Sequence, residues 1–331
     1  MNQQAQFFQR LKPTIPAFSS LAAEVAAILK VSMDSAYRRI RGEKLLDFDE
    51  ISLLCKEFNI SLDEFLCLKT GTILFRSTSS KPREDALAHW MDEMVKQLSY
   101  INSYPKRHIY FLIKDLPPFH HFFHPILASF KFFFWTKSIL PPGQNQLEKF
   151  CLNSKQVATY EKLSLRILRA YLKVPSTEIW NKDTLNTTLR QIETYHEKGL
   201  IQDVKTTKVI YNSLLEVVNH LEKMASDGQK SEIGQTPLAE YGEYRLYQND
   251  IISGDNTLLA EIGETKITYL NHSVLYFVGS KDKGFNEEVY GNLKNLIRRS
   301  SLVSGTEEKK RTQVFNKLRR KVQAKLDALE N

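Results

Sequence analysis

Between Gln3 and about Leu68, apolar positions recur at three- and four-residue spacing in short runs, each closed by a tight break, a pattern that predicts four or five short helices. In a helix over 21–29, Val25, Ile28 and Leu29 share one face, while Ala22, Ala23, Ala26 and Ala27 allow a second helix to approach closely. The turn Lys30-Val31-Ser32 follows. Ser32 is placed to cap a helix over 33–41, and Gly42 is placed to stop it. On that helix Met33, Ala36, Tyr37 and Ile40 obey the i, i+3, i+4, i+7 rule and are expected to face the partner helix. Asp34, Ser35, Arg38 and Arg41 then point outward, with Arg39 at the flank. Asp47 opens a third helix carrying Phe48, Ile51, Leu54, Cys55 and Phe58, and Ser61 to Leu66 begins a last one.

A Ser/Thr/Gly/Pro-rich stretch, Thr70-Gly71-Thr72 and Ser77 to Pro82, then breaks the pattern. The expected organisation is a helical domain over 1–69, a linker over 70–83 and a larger domain over 84–331. The latter begins with a helix over 84–102 (Leu87, Met91, Met94, Val95, Leu98) and a short apolar strand over 108–113, closed by Pro117-Pro118. Helical stretches follow over 156–173, 184–198 and 203–225, the last two stopping at Gly199 and Gly228. The period then changes from 3.6 to 2 over 243–252, 257–262, 266–270 and 274–278, with turns at Gly254-Asp255-Asn256, Gly263-Glu264 and Asn271-His272. These runs read as a four-strand antiparallel meander. Two helices close the chain, the second announced by a capping box, Ser304-x-x-Glu307, and by Val314, Leu318, Val322 and Leu326. A meander cannot bury its apolar face alone, so it is expected to pack on the helices of 156–225, with strand 108–113 added to the sheet. The fold class is α+β and predominantly helical: an all-α helix-turn-helix domain, then a larger domain of helices packed on a mainly antiparallel sheet.

Two short helices joined by a three-residue turn, the second presenting arginines and small polar groups, suit a helix-turn-helix. The exposed helix enters the major groove, where Arg reads guanine O6 and N7 with paired hydrogen bonds. The candidate DNA-contacting residues are Ser32, Asp34, Ser35, Tyr37, Arg38, Arg39, Arg41 and Lys44. The alternative is a helical protein-interaction module whose arginine face is merely solvated.

Ala26, Leu29, Val31, Ser32, Ala36, Arg41, Gly42, Leu53, Leu54, Phe58, Ile60, Ser61, Leu62, Asp63 and Phe65 follow one recognisable pattern. On these residues the segment resembles the λ-repressor-like (XRE) helix-turn-helix family. The stretch from Asp34 to Lys44 looks more particularly like BetR-like regulators. More loosely, the whole chain is similar to one-component regulators from Bacteroidota that join such a head to a long C-terminal region. The resemblance implies sequence-specific DNA binding and transcription regulation. Lys30 departs from the pattern, which usually has Gly in the turn, so a positive φ is expected at a side chain that tolerates it only at some cost.

Charge refines this picture. The chain of 331 residues carries a net +8, yet residues 1–70 hold nine basic and nine acidic groups, so any positive surface on the head must be local. From Lys294 to Lys325, eleven basic residues face two acidic ones. This run reads as the solvated face of two amphipathic helices, with auxiliary phosphate contact as the sharper alternative.

Cys55, Cys67 and Cys151 form no CxxC pair, and their odd number points to a reducing cytosol; the first residues lack a secretory pattern. The uncharged stretch from Leu116 to Phe130 is 15 residues with three prolines, short of the roughly 20 apolar residues a membrane span needs. His120 and His124 have the i, i+4 spacing of a metal pair but no acidic or cysteine partner at ligand spacing, so packed or partly exposed histidines at a helix start are expected and no metal is assigned. Phe119, Phe122, Phe123, Phe130, Phe132, Phe133, Phe134 and Trp135 are expected to line a ligand cavity or a dimer interface. No P-loop, GxGxxG, GxSxG or HExxH motif is present. No catalytic residue or cofactor is assigned, and an enzyme is not expected.

The sequence thus reads as a cytoplasmic transcription regulator whose partner is double-stranded DNA. Its second domain is expected to form a homodimer, to sense a small-molecule or protein effector, or both. Dimerisation is inferred from operator geometry, because one short helix reads few base pairs. The alternative is a protein-interaction adaptor, antitoxin-like or phage-repressor-like, whose helical head binds protein.

Overall fold

The computed structural model describes residues 3–12, 15, 19–66, 71–77, 86–139, 148–152, 155–251, 256–271 and 277–330. The chain divides into two compact units, Met1–Leu74 and Phe75–Asn331.

The first unit contains α1 (Gln3–Leu11), α2 (Leu21–Leu29), α3 (Met33–Arg41), α4 (Phe48–Glu57) and α5 (Leu62–Leu66). Phe7, Phe8 and Leu11 of α1 pack with Val25 and Ala26 of α2, Ala36 of α3 and Leu54 of α4. Ser20, Ser32 and Asp47 cap α2, α3 and α4, each accepting from the backbone N–H three residues on, at 3.2, 3.2 and 2.8 Å. Each such cap contributes about 1 kcal/mol. Lys30 at φ 53 ends α2 and Gly42 at φ 80 ends α3. Val31 N and Glu43 N then bond back to Ala26 O and Arg38 O at 3.0 and 2.8 Å, closing both helices in Schellman fashion. Gln4 ties α1 to the following loop, donating to Arg39 O and Lys44 O and accepting from Leu46 N.

Three expectations for this unit are corrected. Met33 and Tyr37 are 44% and 46% exposed rather than packed inward, and Phe48 is 82% exposed. The inward stripe of α3 runs through Ala36 and Arg39, with Ile40 partly buried. A nine-residue helix that meets α2 and α1 over two turns can bury about one residue per turn, and the small Ala36 marks the crossing point.

The second unit contains β1 (Arg76–Ser77), α6 (Ala86–Asn102), β2 (Arg107–Leu112), α7 (Pro118–His121), α8 (Pro125–Ile139) and α9 (Lys155–Leu172). It continues with β3 (Ser176–Trp180), α10 (Asn186–Glu197), α11 (Val204–Asp227), β4 (Tyr244–Gln248), β5 (Thr257–Ile262), β6 (Thr265–Asn271) and β7 (Phe277–Ser280). α12 (Lys283–Arg298), β8 (Ser301–Leu302) and α13 (Glu308–Asp327) complete it. The strands form one sheet in the order β1-β7-β6-β5-β2-β3-β4-β8. Pairing is parallel at β2–β3 and β3–β4 and antiparallel at the other five junctions. The protein is therefore α+β and predominantly helical, with an all-α first unit and a mainly antiparallel sheet in the second.

The expected four-strand meander is corrected to three strands. β5, β6 and β7 follow one another, but β2 and β3 stand between β5 and β4. Strand β3, which follows Pro175 directly, escaped the sequence reading: all five of its residues are buried, yet Ser176, Thr177 and Glu178 are polar, so neither an apolar run nor alternation marks it. The capping box is corrected too. Ser304 is buried and its Oγ accepts from Leu246 N of β4 at 3.2 Å, while Glu307 precedes α13 with no side-chain cap bond. Within the expected linker, Arg76 and Ser77 pair with β7. Thr70 and 78–83 of the linker, Cys67, the turn residues Gly254, Asp255 and His272, and 274–276 of the expected last strand lie outside the described residues.

One face of the sheet, with Ile109, Phe111, Trp180 and Tyr244, packs against the main helical layer. On the other, Tyr110, Ile179 and Leu259 meet Leu293 and Leu296 of α12. Alternation along β2 sends Ile109 and Phe111 one way and Tyr110 the other. Among the described residues, no helix is long and apolar enough to cross a membrane.

Candidate functional site

In the first unit, α3 is presented by its caps and held from behind by Ala36, fully buried, and Arg39, 2% exposed. Ser32, Asp34, Tyr37, Arg38, Arg41 and, past the helix, Lys44 are exposed; Ser35 is half-buried and its Oγ accepts from Arg39 Nη1 at 2.5 Å. Arg39, expected among the contacting residues, is turned inward instead. Its Nε lies 3.1 and 3.0 Å from the two oxygens of Glu50, and Nη2 also donates to Oε1. Hydrogen bonding by Arg39 holds the Glu50 carboxyl below the usual range. The planar guanidinium suits this position because it can grip a carboxylate and the Ser35 hydroxyl at once.

Glu43 stands between the two outward arginines, with Oε1 2.7 Å from Arg41 Nε and Oε2 3.8 Å from Arg38 Nε. Both arginine side chains are more than half exposed, so water and salt screen these pairs and Glu43 is readily exchanged for another acceptor. Beside them Leu45 and Phe48 are 70% and 82% exposed.

The second unit has a buried polar centre on β3. Glu178 is fully buried and accepts from Tyr171 Oη at 2.8 Å, Trp180 Nε1 at 2.9 Å and Tyr244 Oη at 3.3 Å. His120 Nε2 donates to the same carboxylate at 2.9 and 3.0 Å. Burial alone would raise the Glu178 pKa; the charge and hydrogen bonds of His120 and the bond from Tyr171 outweigh it and hold the carboxyl below the usual range. The other histidines of the motif go elsewhere, His121 Nε2 to Thr188 Oγ1 at 3.0 Å and His124 Nε2 to within 3.4 Å of Glu216. Among the described residues no three His, Cys, Asp or Glu side chains converge to hold a metal ion.

The aromatic segment divides. Phe122, Phe123, Phe130, Phe132 and Phe133 close into the unit's own core, whereas Phe119, Phe134 and Trp135 line a cavity of about 520 Å³ between α6, the sheet, α7, α8 and α10. Lys131, 3% exposed, also lines that cavity. Its Nζ donates to Gln191 Oε1 at 2.8 Å, with Thr188 Oγ1 at 3.5 Å and Asp115 Oδ2 at 3.9 Å. Thr188 donates in turn to Asp115 at 3.0 Å. Burial lowers the Lys131 pKa against the pull of Asp115, and burial next to Lys131 keeps His121 neutral. The strained start of α10, where fully buried Leu185 adopts φ 94, is held by packing. Sequence reasoning missed Lys131; the available signal was a lone lysine within Phe130-Lys131-Phe132-Phe133-Phe134-Trp135, on a helix apolar all round.

Part of the basic C-terminal run is used inside the fold. Arg311 is buried and donates to Gly305 O at 2.7 Å, Arg319 pairs with Glu222 at 2.5 Å, Lys325 pairs with Glu193, and Lys321 donates to Lys182 O and Asn186 Oδ1. Arg298, Arg299, Lys309, Lys317 and Arg320 are exposed.

Comparison of the chain with protein-family models, with curated proteins and with solved structures finds no match.

Proposed function

We propose that the chain is a sequence-specific DNA-binding transcription regulator that places α3 in the major groove. The observation that carries this reading is the pair Arg38 and Arg41, exposed on a helix capped at both ends and fixed from behind by Ala36 and Arg39. A rigid short helix with two outward guanidinium groups suits bidentate reading of guanine. Ser32, Asp34, Ser35, Tyr37 and Lys44 surround them as further base and phosphate contacts. Two copies on half-sites about one helical turn apart complete the reading, because a nine-residue helix reads few base pairs. The second unit serves dimerisation or sensing, and the cytoplasm is the location.

A protein-interaction adaptor is the second reading, favoured by the exposed Leu45 and Phe48 beside α3. One titration separates the two. The full chain is titrated with duplex DNA from upstream of its own gene and with a scrambled duplex of equal length, across a salt series. The regulator reading expects tighter binding to the first, weakening steadily with salt. Equal affinity for both duplexes, or none, overturns it in favour of the adaptor.

A further inference from the structure

We infer that the second unit binds a small hydrophobic carboxylate in the cavity of about 520 Å³, with the carboxylate on Lys131. This site stands independently of how the first unit is read.

The size and walls define the body of the ligand. The volume falls within the range of roughly 300–1,000 Å³ typical of small-molecule sites, and Trp90, Leu98, Phe111, Trp135 and Tyr269 form an apolar wall. The lining also carries polar side chains, Gln97, Asn256 and Asn271 among them, and its apolar wall accepts an alkyl chain or a flat ring.

Lys131 defines the head. An ammonium removed from water is costly unless it is paired and hydrogen-bonded. Among the described residues, Lys131 Nζ has one acceptor at short range, Gln191 Oε1 at 2.8 Å; Thr188 Oγ1 at 3.5 Å is marginal, and Asp115 Oδ2 at 3.9 Å is beyond hydrogen-bond reach. Asp115 is partly exposed and bonded by the Thr188 hydroxyl, so its charge is shared with solvent while that of Lys131 is not. A ligand carboxylate supplies both the missing acceptor and a counter-charge. Neutral His121, already bonded to Thr188, adds no cation beside Lys131, and the other cation of the lining, Lys114, is exposed to solvent, so one anionic group is assigned to Lys131. Gln191 holds the Lys131 ammonium directly, so it is pre-arranged in the cavity lining.

The test uses the full chain and three probes of equal length, decanoate, decanol and decylamine, in native mass spectrometry and calorimetric titration. Decanoate is expected to bind once per chain and more tightly than the other two. Lys131→Met is expected to weaken decanoate roughly tenfold or more, the size of one charge-assisted hydrogen bond, and to leave decanol unchanged. Lys131→Arg keeps the charge and is expected to retain most of the binding. Met94→Trp, at a half-buried position lining the cavity, is expected to abolish binding of all three by filling the space. If Lys131→Met proves unfolded by circular dichroism, Lys131→Arg and Met94→Trp decide. The inference is overturned if decanoate does not bind, if decanol or decylamine binds as well as decanoate, if folded Lys131→Met keeps the native affinity for decanoate, or if either deciding variant fails to behave as stated.

Discussion

Arg39 and Glu50 join α3 to the first turn of α4 through a forked ion pair, with Arg39 Nε 3.1 and 3.0 Å from the two carboxylate oxygens and Nη2 reaching Oε1 as well. The pair lies on the buried side of α3, whereas Arg38 and Arg41 are exposed. Arg39→Ala is expected to leave a partly buried carboxylate unpaired and to destabilise the first unit by about 2–3 kcal/mol. Hydrogen exchange of the α3 and α4 amides in the full chain measures this, and unchanged protection would show the pair to be dispensable. Arg39→Lys is expected to recover little, since an ammonium cannot span both Glu50 and Ser35.

The same pair carries a pH dependence. A carboxyl whose folded-state pKa is depressed, as hydrogen bonding by Arg39 depresses Glu50, adds stability above its unfolded value and loses it as pH falls through the folded one. Protection of α3 and α4 is therefore expected to be level near neutrality and to decline below the ordinary Glu range, about pH 4.3. Glu50→Gln is expected to be less stable at pH 7 and to show a smaller decline in acid. A variant with the native acid profile would assign that decline to other carboxyls.

Arg38→Ala and Arg41→Ala are each expected to weaken binding to the preferred duplex by about 1–3 kcal/mol without loss of helicity, because both side chains are exposed. Glu43→Gln is expected to act in the opposite direction. It removes a carboxylate that holds both arginines in the free protein and repels phosphate. Fluorescence anisotropy at two salt concentrations checks all three, and equal affinities throughout would remove α3 from the interface.

Ala36 is fully buried where α3 packs with α1, α2 and α4. Ala36→Glu is expected to unfold the first unit, since it buries a charge without a partner. Limited proteolysis of that variant should leave a resistant fragment beginning near residue 75, where the second compact unit starts. Resistance equal to the parent chain would contradict the packing described.

Glu178 gathers four donors, from His120, Tyr171, Trp180 and Tyr244, at the centre of the second unit. Glu178→Gln keeps the shape but removes the charge and places an amide N–H against donors, so a loss of about 3 kcal/mol is expected. The reading is a lower urea midpoint for the second unit; an unchanged midpoint would mean the carboxylate adds nothing to stability.

Local interactions made much of this protein legible in the sequence. Caps and stops at Ser32, Gly42 and Asp47 mark helix ends through bonds that span three to five residues, and Gly228 through its positive φ, so they are readable from a short window. The exposure of Arg38 and Arg41 follows from helical period and charge. What tertiary structure decided involves partners far apart in the chain or choices that period alone leaves open. Arg39 faces inward because Glu50, eleven residues on, receives it. Met33 and Tyr37 stay exposed because periodicity defines a stripe but not how much of it neighbours cover. β2 and β3 separate β5 from β4 because strand order is set by helix packing across the whole unit, not by adjacency in sequence. Lys131 belongs to a cavity because α10, some 60 residues later, brings Thr188 and Gln191 to it. A buried ammonium is tolerated only where such partners converge, and that convergence exists only in the folded chain.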